Sequence, residues 1–278
     1  MSLLRVAPGQ RVAVIGDIGG HADALRAELA RLGVPDGGAG RLSPELIVVQ
    51  VGDLIHRGPD SAGVVALIDR HLRDTPDRWI QLVGNHEAFY LRRRQFSWDE
   101  RVPRPTASTL RRWWSTGSMR PAVAIRTPAE DLLVTHAGLT RRFWRDVLDA
   151  PADAAVAAAA INALARGNAR ALFRPGTMVG WRRPDLGAGP IWAAAGSEVA
   201  ASWWGHALPF SQVHGHSSAY HWDTGRWHLD ETLRPATVLD EPAKHVAITL
   251  PGGRLVGIDP CHRALLDREW RSLELPGG

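Results

Sequence analysis

The sequence of 278 residues is poor in cysteine and has no long apolar run. Its one cysteine, Cys261, excludes an intrachain disulfide and favours a reducing compartment. The first residues lack the apolar stretch of a secretory signal, and no run of about eighteen apolar residues predicts a membrane-spanning helix. From these absences we expect a cytoplasmic protein with no membrane partner.

The excess of charge of one sign is small as well. Lys and Arg number 33 against 29 Asp and Glu, which gives a formal net charge of +4, and nearly all the cations are arginine. Guanidinium groups pair with phosphate oxygens, so the surface suits an anionic substrate, although an arginine-rich composition is also typical of a GC-rich genome. A mildly basic chain falls short of the charge signature of nucleic-acid-binding proteins, so we expect no nucleic-acid partner.

Length and the 45% hydrophobic content fit one large α/β domain, and we treat residues 1–278 as that domain. Short apolar runs, each followed at once by small or polar residues, predict four buried strands at residues 12–15, 46–51, 79–83 and 132–135. A helix over residues 23–32 is predicted between the first two strands. A second helix, capped by Ser61, is predicted between the next two.

The second half of the chain predicts an insertion at about residues 140–210. An alanine-rich stretch at 150–165 favours a helix that ends at Gly167. Residues 169–210 are rich in proline, glycine and tryptophan, which indicates an irregular loop that either caps a cleft or packs its aromatic side chains beneath itself. Residues 245–250 and 254–258 then predict an antiparallel hairpin.

Each predicted strand ends beside a side chain that can bind a metal ion. These side chains are Asp17, Asp53, Asn85 with His86, and His136, while His214 and His216 follow a further strand candidate at residues 210–213. Ligands of open α/β sheets bind outside the carboxyl ends of the strands, so we expect these groups to converge. Oxygen and imidazole donors favour manganese, iron, zinc or nickel over calcium.

Such a site predicts hydrolysis. Two ions about 4 Å apart that share a carboxylate would hold the attacking and leaving oxygens and lower the pKa of bound water to about 7. Phosphoryl transfer also needs positive charge beside the metals, which Arg57, four residues after Asp53, is placed to supply.

Five sequence blocks resemble, in order, the signatures of calcineurin-like metallophosphoesterases. They are Gly16-Asp17-Ile18-Gly19-Gly20-His21, residues 51–61, Gly84-Asn85-His86-Glu87, Thr135-His136-Ala137-Gly138-Leu139 and His214-Gly215-His216-Ser217. The nearest branch is the phosphoprotein-phosphatase type, which includes bacterial and bacteriophage serine/threonine phosphatases and symmetrical diadenosine tetraphosphatases. This resemblance implies an α/β fold, a β-sandwich of mixed sheets flanked by helices, with an irregular cap segment.

The resemblance also implies a role for each matching residue. The implied ligands are Asp17 for the first metal, Asp53 as the carboxylate that bridges both metals, and Asn85, His136 and His216 for the second metal. His86 resembles the general acid for the leaving oxygen. Arg57 resembles a phosphate-binding arginine, and Arg183, in Trp181-Arg182-Arg183, resembles a second one.

Two positions depart from the family pattern. Gly19 stands where the family has a histidine that completes the first metal site, so we expect that site to be weak unless His21, His56 or His214 substitutes. His21 is otherwise a residue at the start of a helix. His214 either contacts the metal or its ligands or lies at the surface. His56 stands where the family has an aspartate that orients the catalytic histidine, and a neutral imidazole cannot stabilise a protonated His86 as a carboxylate would.

The sequence therefore predicts a metal-dependent phosphoesterase with two divalent ions, manganese being favoured. Its substrate would be a phosphomonoester, on a phosphoprotein or a small molecule, or a dinucleoside polyphosphate. Gly19 and His56 motivate an alternative, a weakly active protein that binds a phosphate ligand on a phosphatase scaffold. A third interpretation, a nuclease or RNA-end-processing enzyme, rests on the basic charge and the 12 tryptophans.

Overall fold

The structure, a computed structural model, describes residues 2–91, 95–167, 169–179 and 183–277. Strands of this part of the chain form a seven-stranded sheet, a five-stranded sheet and a two-stranded ribbon. They are β1 (Leu3–Arg5), β2 (Arg11–Ile15), β3 (Leu46–Gln50), β4 (Trp79–Leu82), β5 (Met119–Arg120), β6 (Ala122–Arg126), β7 (Asp131–Thr135), β8 (Ser211–His214), β9 (Tyr220–His221), β10 (Arg226–Trp227), β11 (Thr237–Asp240), β12 (His245–Leu250), β13 (Gly253–Gly257) and β14 (Leu273–Pro276).

The helices connect these strands. They are α1 (Ala22–Arg31), α2 (Pro35–Gly38), α3 (Ser61–Asp74), α4 (Asn85–Leu91), α5 (Arg104–Thr116), α6 (Arg141–Asp146), α7 (Ala154–Arg166), α8 (Ala169–Leu172), α9 (Ala201–Trp203) and α10 (Cys261–Asp267), with a π-helical turn at Ala195–Ala200 and a 3-10 turn at Glu231–Ala236. Within the described residues, none of these helices has the length and apolar character needed to cross a membrane.

The strands that matter most for the site are parallel. In the five-stranded sheet, ordered β14-β2-β3-β4-β5, strand β3 lies parallel to both β2 and β4. In the seven-stranded sheet, ordered β1-β6-β7-β8-β13-β12-β11, strand β8 lies parallel to both β7 and β13. The predicted hairpin is confirmed, because β12 and β13 pair antiparallel.

The two large sheets pack face to face around a buried aliphatic layer. Val12 and Val49 of the five-stranded sheet share one cluster with Val134 and Val213 of the seven-stranded sheet. The opposite face of β2 is buried against helices through Ile15. Strands that are covered on both faces have near-continuous apolar sequences, which is why their short apolar runs located them. The predicted α/β sandwich of mixed sheets flanked by helices is confirmed.

Helix ends follow the expected chemistry with one correction. We expected Ser61 to cap α3, but the cap is Asp60, whose side chain accepts a hydrogen bond from Gly63 N at 2.7 Å. A carboxylate is as good a cap as a hydroxyl, and this one lies one residue earlier. The alanine-rich helix α7 is present, begins after the capping Asp153, and ends at Gly167 as predicted.

The stretch expected to be an irregular loop is more ordered than its composition suggested. It contains α8, the π-helical turn and α9, while Trp181 and Arg182 lie outside the described residues. Trp192 packs edge-on against His216, with ring centroids 6.0 Å apart, and against Phe96 at 5.4 Å. Trp192 therefore lies beside His216, one of the candidate ligands.

Candidate active site

Six strand ends deliver polar side chains to one edge of the sandwich. Asp17 follows β2, Asp53 follows β3, Asn85 and His86 follow β4, His136 follows β7, His216 follows β8, and Asp259 follows β13. The carboxyl ends of neighbouring parallel strands lie side by side, so both sheets contribute to one cluster. The structure thus brings together six of the predicted residues and adds one, Asp259.

The tightest part of this cluster contains one carboxylate, one amide and two imidazoles. Asp53, His136 and His216 each place a possible ligand atom within 4.8 Å of the others. The Asn85 side-chain oxygen lies 3.0 Å from Nε2 of His136 and 2.8 Å from Nδ1 of His216. Nε2 of His136 is also 3.4 Å from Oδ1 of Asp53. All four side chains are buried.

The hydrogen bonding of His136 shows that this donor set fits a cation. Its Nδ1 lies 3.1 Å from the carbonyl oxygen of Val51, so Nδ1 carries the proton and donates. Burial lowers the pKa of His136, which keeps the ring neutral and leaves Nε2 with a lone pair. That lone pair faces the oxygens of Asn85 and Asp53, an arrangement of three acceptors that a metal ion satisfies.

Backbone geometry at the site is strained. Asp53, His56, Arg57 and His216 all have positive φ, between 53° and 74°, although none is glycine. Such conformations cost about 1 kcal/mol or more each and persist where surrounding contacts enforce them, often at functional sites. Glu87 supplies one such set of contacts, because its buried carboxylate accepts hydrogen bonds from the backbone N–H groups of Asp53, Leu54 and Gly84 at 2.8–2.9 Å.

Two glycines allow the strand ends to approach one another. A Cβ atom on Gly84 would collide with Oδ1 of Asp53, and a Cβ atom on Gly215 would collide with Oδ1 of Asp17. The same Asp17 oxygen accepts a hydrogen bond of 2.9 Å from the backbone N–H of His216. Glycine at both positions is therefore required by the close packing of the ligand loops.

Three carboxylates share a small cavity beside the imidazoles. Asp17, Asp53 and Asp259 line a space of about 20 Å³, large enough for an ion or a water molecule. Burial raises the pKa of Asp17, and the charges of Asp259 and Asp53 raise it further. Burial also raises the pKa of Asp259. A divalent cation between these groups would relieve both costs.

Sequence reasoning missed Asp259. The signal was available, because Asp259 follows a predicted strand at residues 254–258 just as Asp53 follows its own strand. It was overlooked because it lies outside the five blocks of the family resemblance.

The three histidines considered as replacements at Gly19 have other contacts. Nε2 of His21 lies 3.0 Å from Nδ1 of His262, and His56 bonds His86 and Tyr90. His214 is buried with its Nδ1 3.1 Å from the carbonyl oxygen of Gly215, and it is not part of the Asp53 cluster among the described residues. Gly19 itself has φ of 48°, a conformation that most side chains disfavour.

His86 lies between the carboxylate of Asp53 and the imidazole of His56. Its Nε2 lies 3.9 Å from Oδ2 of Asp53, and its Nδ1 lies 2.7 Å from Nδ1 of His56. The other nitrogen of His56, Nε2, is 2.7 Å from the hydroxyl of Tyr90. Burial and then the neighbouring His86 lower the pKa of His56 to about 3, so His56 is neutral at physiological pH.

The two predicted arginines differ in position. Arg57 is exposed, lines the same cavity as Asp17 and Asp53, and lies 5.8 Å from the centre of the Trp98 ring. Its backbone N–H donates to Glu100 at 2.9 Å, which fixes the loop that carries it. Arg183 is exposed at the edge of the undescribed stretch, and no described contact places it at the cluster.

With this geometry established, comparison with known proteins decides the family. The model of the calcineurin-like phosphoesterases matches residues 10–240, which is most of the chain. The chain belongs to the calcineurin-like phosphoesterases. It is therefore a phosphoric ester hydrolase by family, in a group that generally uses divalent metals. No curated protein matched it by sequence.

Solved structures agree on the fold of this calcineurin-like phosphoesterase. A mutant of a cold-active protein tyrosine phosphatase has a TM-score of 0.54 at 17% identity, covering 99% of this chain and 77% of that one. The cold-active protein-tyrosine phosphatase of a Shewanella species has a TM-score of 0.51 at 15% identity, with coverage of 99% and 77%.

Proposed function

We propose that the protein hydrolyses a phosphomonoester or a phosphoanhydride, such as a dinucleoside polyphosphate, with two divalent metal ions. The observation that carries the proposal is the His136 lone pair facing the oxygens of Asn85 and Asp53 in a fully buried cluster. Bound ions would neutralise phosphate charge and make an attacking water more acidic. We keep the cytoplasmic location and the single domain over residues 1–278 as proposals.

The chain's own residues would bind and orient the substrate around that centre. Arg57 presents an exposed guanidinium beside the carboxylates, where it would pair with phosphate oxygens. His86 lines the same cavity and would protonate the leaving oxygen. Arg183 stays a proposed second phosphate-binding residue that no described contact supports.

We assign the two ions to two groups that share Asp53. The second ion would be held by Asp53, Asn85, His136 and His216, and the first by Asp17, Asp53 and Asp259. In this proposal Asp259 takes the place of the family histidine that is absent at position 19, where this chain has Gly19. The first site then has one more negative charge and is not short of a ligand. An all-carboxylate first site favours manganese or magnesium over softer metals.

Asp259→Asn tests the assignment of the first site. Removing one negative charge and one carboxylate ligand should weaken the first ion by at least about 10-fold, the usual lower bound for losing a metal-site partner. Titration calorimetry with manganese should then resolve one unchanged and one weakened site. Asp267→Asn, a matched change at the exposed end of α10, should leave both sites unaltered. Two undisturbed sites in Asp259→Asn would remove Asp259 from the ligand set.

The proposed activity is tested by metal removal and replacement. We expect chelator-treated protein to be inactive toward p-nitrophenyl phosphate, and added manganese to restore hydrolysis. Bound manganese without hydrolysis of this or any other phosphate ester would favour the alternative, a phosphate-binding protein on the same scaffold. Retention on nucleic acid that weakens with salt, together with cleavage of it, would favour the nuclease interpretation.

A further inference from the structure

The loop that follows β3 contains two consecutive residues in the left-handed backbone region. His56 has a φ of 74° and Arg57 a φ of 68°. Neither residue is glycine, so the conformation costs free energy and persists only where other contacts enforce it. Arg57 lines the cavity of the carboxylates, and the direction of its side chain depends on the same backbone. The contacts that enforce this backbone therefore decide where the guanidinium lies.

The carboxylate of Glu100 supplies these contacts. Its Oε2 accepts a hydrogen bond of 2.9 Å from the backbone N–H of Arg57. Its Oε1 accepts a hydrogen bond of 3.0 Å from the hydroxyl of Ser61, and the oxygen of that hydroxyl accepts one of 2.9 Å from the backbone N–H of His56. One carboxylate thus holds both left-handed residues, Arg57 directly and His56 through Ser61.

The next residue of the loop is held by a different part of the chain. The backbone N–H of Gly58 donates to the carbonyl oxygen of Gly19 at 2.7 Å. A Cβ atom on Gly58 would lie 2.4 Å from that same oxygen, so the two loops are in close contact. Gly58 is therefore tied to the loop that carries Asp17, whereas Glu100 holds the backbone of Arg57.

Glu100 belongs to a segment that contacts Arg57 twice. It lies 43 residues after Arg57, between α4 and α5 and outside the five sequence blocks. In the same segment, the ring centre of Trp98 lies 5.8 Å from the guanidinium carbon of Arg57. A guanidinium at this distance from an aromatic ring is attracted to it. The segment therefore fixes Arg57 at its backbone through Glu100 and at its side chain through Trp98.

We propose that Glu100 is a positioning residue that holds Arg57 in the conformation in which it binds the phosphate of the substrate. This inference rests on the proposed function and extends it by naming the residue on which the phosphate-binding arginine depends. The charge of Glu100 does not favour such binding, because a carboxylate beside an anion site repels phosphate. Its hydrogen bonds to the left-handed loop are the favourable contribution.

Glu100→Gln and Glu100→Ala separate the hydrogen bonds from the charge. Both remove the charge, but only the glutamine side chain can accept from the backbone N–H of Arg57 and donate to the oxygen of Ser61. With manganese-loaded protein we expect the affinity for inorganic phosphate, measured by titration calorimetry, to fall about 10-fold in Glu100→Ala, the usual effect of losing a hydrogen bond to a charged group. In Glu100→Gln it should be unchanged or higher, and both variants should keep their manganese.

Asp99→Asn is the matched control, because it removes the same charge from the exposed neighbouring position. Its affinity for phosphate should stay within a few-fold of the parent protein. Equal losses in Glu100→Gln and Glu100→Ala, or no loss in Glu100→Ala, would overturn the proposal.

The Arg57→Gly background shows whether Glu100 acts through Arg57. Glycine adopts a positive φ without strain, so this variant should fold while it lacks the guanidinium. In this background Glu100→Ala should cause no further loss of phosphate affinity. A further loss of about 10-fold would assign Glu100 a general structural role and overturn the proposal.

Amide hydrogen exchange at Arg57 tests the same contact without any ligand. We expect the backbone N–H of Arg57 to exchange slowly in the parent protein and in Glu100→Gln, and at least about 10-fold faster in Glu100→Ala. Unchanged exchange in Glu100→Ala would overturn the proposal even in an active enzyme. The expected exchange and phosphate affinities in a protein that hydrolyses no phosphate ester would contradict the proposed function but support the positioning of Arg57 by Glu100. A parent protein that binds no phosphate would overturn both.

Discussion

Asp53→Asn should abolish hydrolysis and remove most of the bound metal. Asp53 contacts both proposed groups: its Oδ1 lies 3.4 Å from Nε2 of His136, and it lines the cavity with Asp17 and Asp259. An amide cannot neutralise two ions as a carboxylate does, so both sites should weaken together. Metal analysis after dialysis and p-nitrophenyl phosphate hydrolysis measure the two effects.

The matched control for that change is Asp23→Asn, which removes the same charge from the exposed first turn of α1. It should retain full metal content and activity. If Asp53→Asn also kept its metal and its turnover, Asp53 would not be the shared ligand, and the assignment of both sites would fall.

His86→Ala should lower kcat about 100-fold or more while manganese stays bound, as expected when a general acid is lost. The backbone N–H of His86 donates to Oδ1 of Asp53 at 3.0 Å, and this contact survives truncation of the side chain. The loss should be largest for alkyl phosphates. His221→Ala, at an exposed position of the two-stranded ribbon, is the control.

A parallel loss of manganese in His86→Ala would change the interpretation of this residue. His86 would then act as a metal ligand, and the proton for the leaving oxygen would need another source. Unchanged kcat on every substrate would exclude both roles.

The strands that carry the site could be predicted because they are buried on both faces. Residues 46–51 and 79–83 are apolar almost without interruption, and each turns polar where the strand ends. That single rule locates Asp53 and Asn85 from the amino-acid order alone. The same rule holds for Asp259, which directly follows the predicted strand at residues 254–258.

Other elements gave weaker signals. The buried residues of helix α5 are Thr106, Ala107, Leu110 and Trp113, and the residues between them are mostly polar. Its apolar stripe is therefore narrow, and the helix was not predicted. Strand β14 pairs with β2 through contacts 259–265 residues apart in sequence, which no local pattern encodes. Strand β1 was missed for the same reason, because it pairs with β6, which lies 121 residues later in the chain.

The contacts around His56 lie beyond sequence reasoning for a physical reason. From the sequence alone, a histidine in place of the family aspartate predicts weaker catalysis, because the contacts of its side chain are unknown. The loop after β3 brings it against α4, where Tyr90 and His86 bond its two nitrogens at 2.7 Å each. Only the three-dimensional structure shows that the side chain at this position contacts both the neighbouring His86 and Tyr90.

The most direct test of the central claim is a crystal structure of the protein soaked with manganese and phosphate, with the ions located by anomalous scattering. We predict two manganese ions that both contact Asp53, one of them with Asn85, His136 and His216 and the other with Asp17 and Asp259, and a phosphate that reaches Arg57. Absence of manganese from this cluster at saturating concentration, or a single ion that leaves Asp17 and Asp259 without a ligand, would contradict the account.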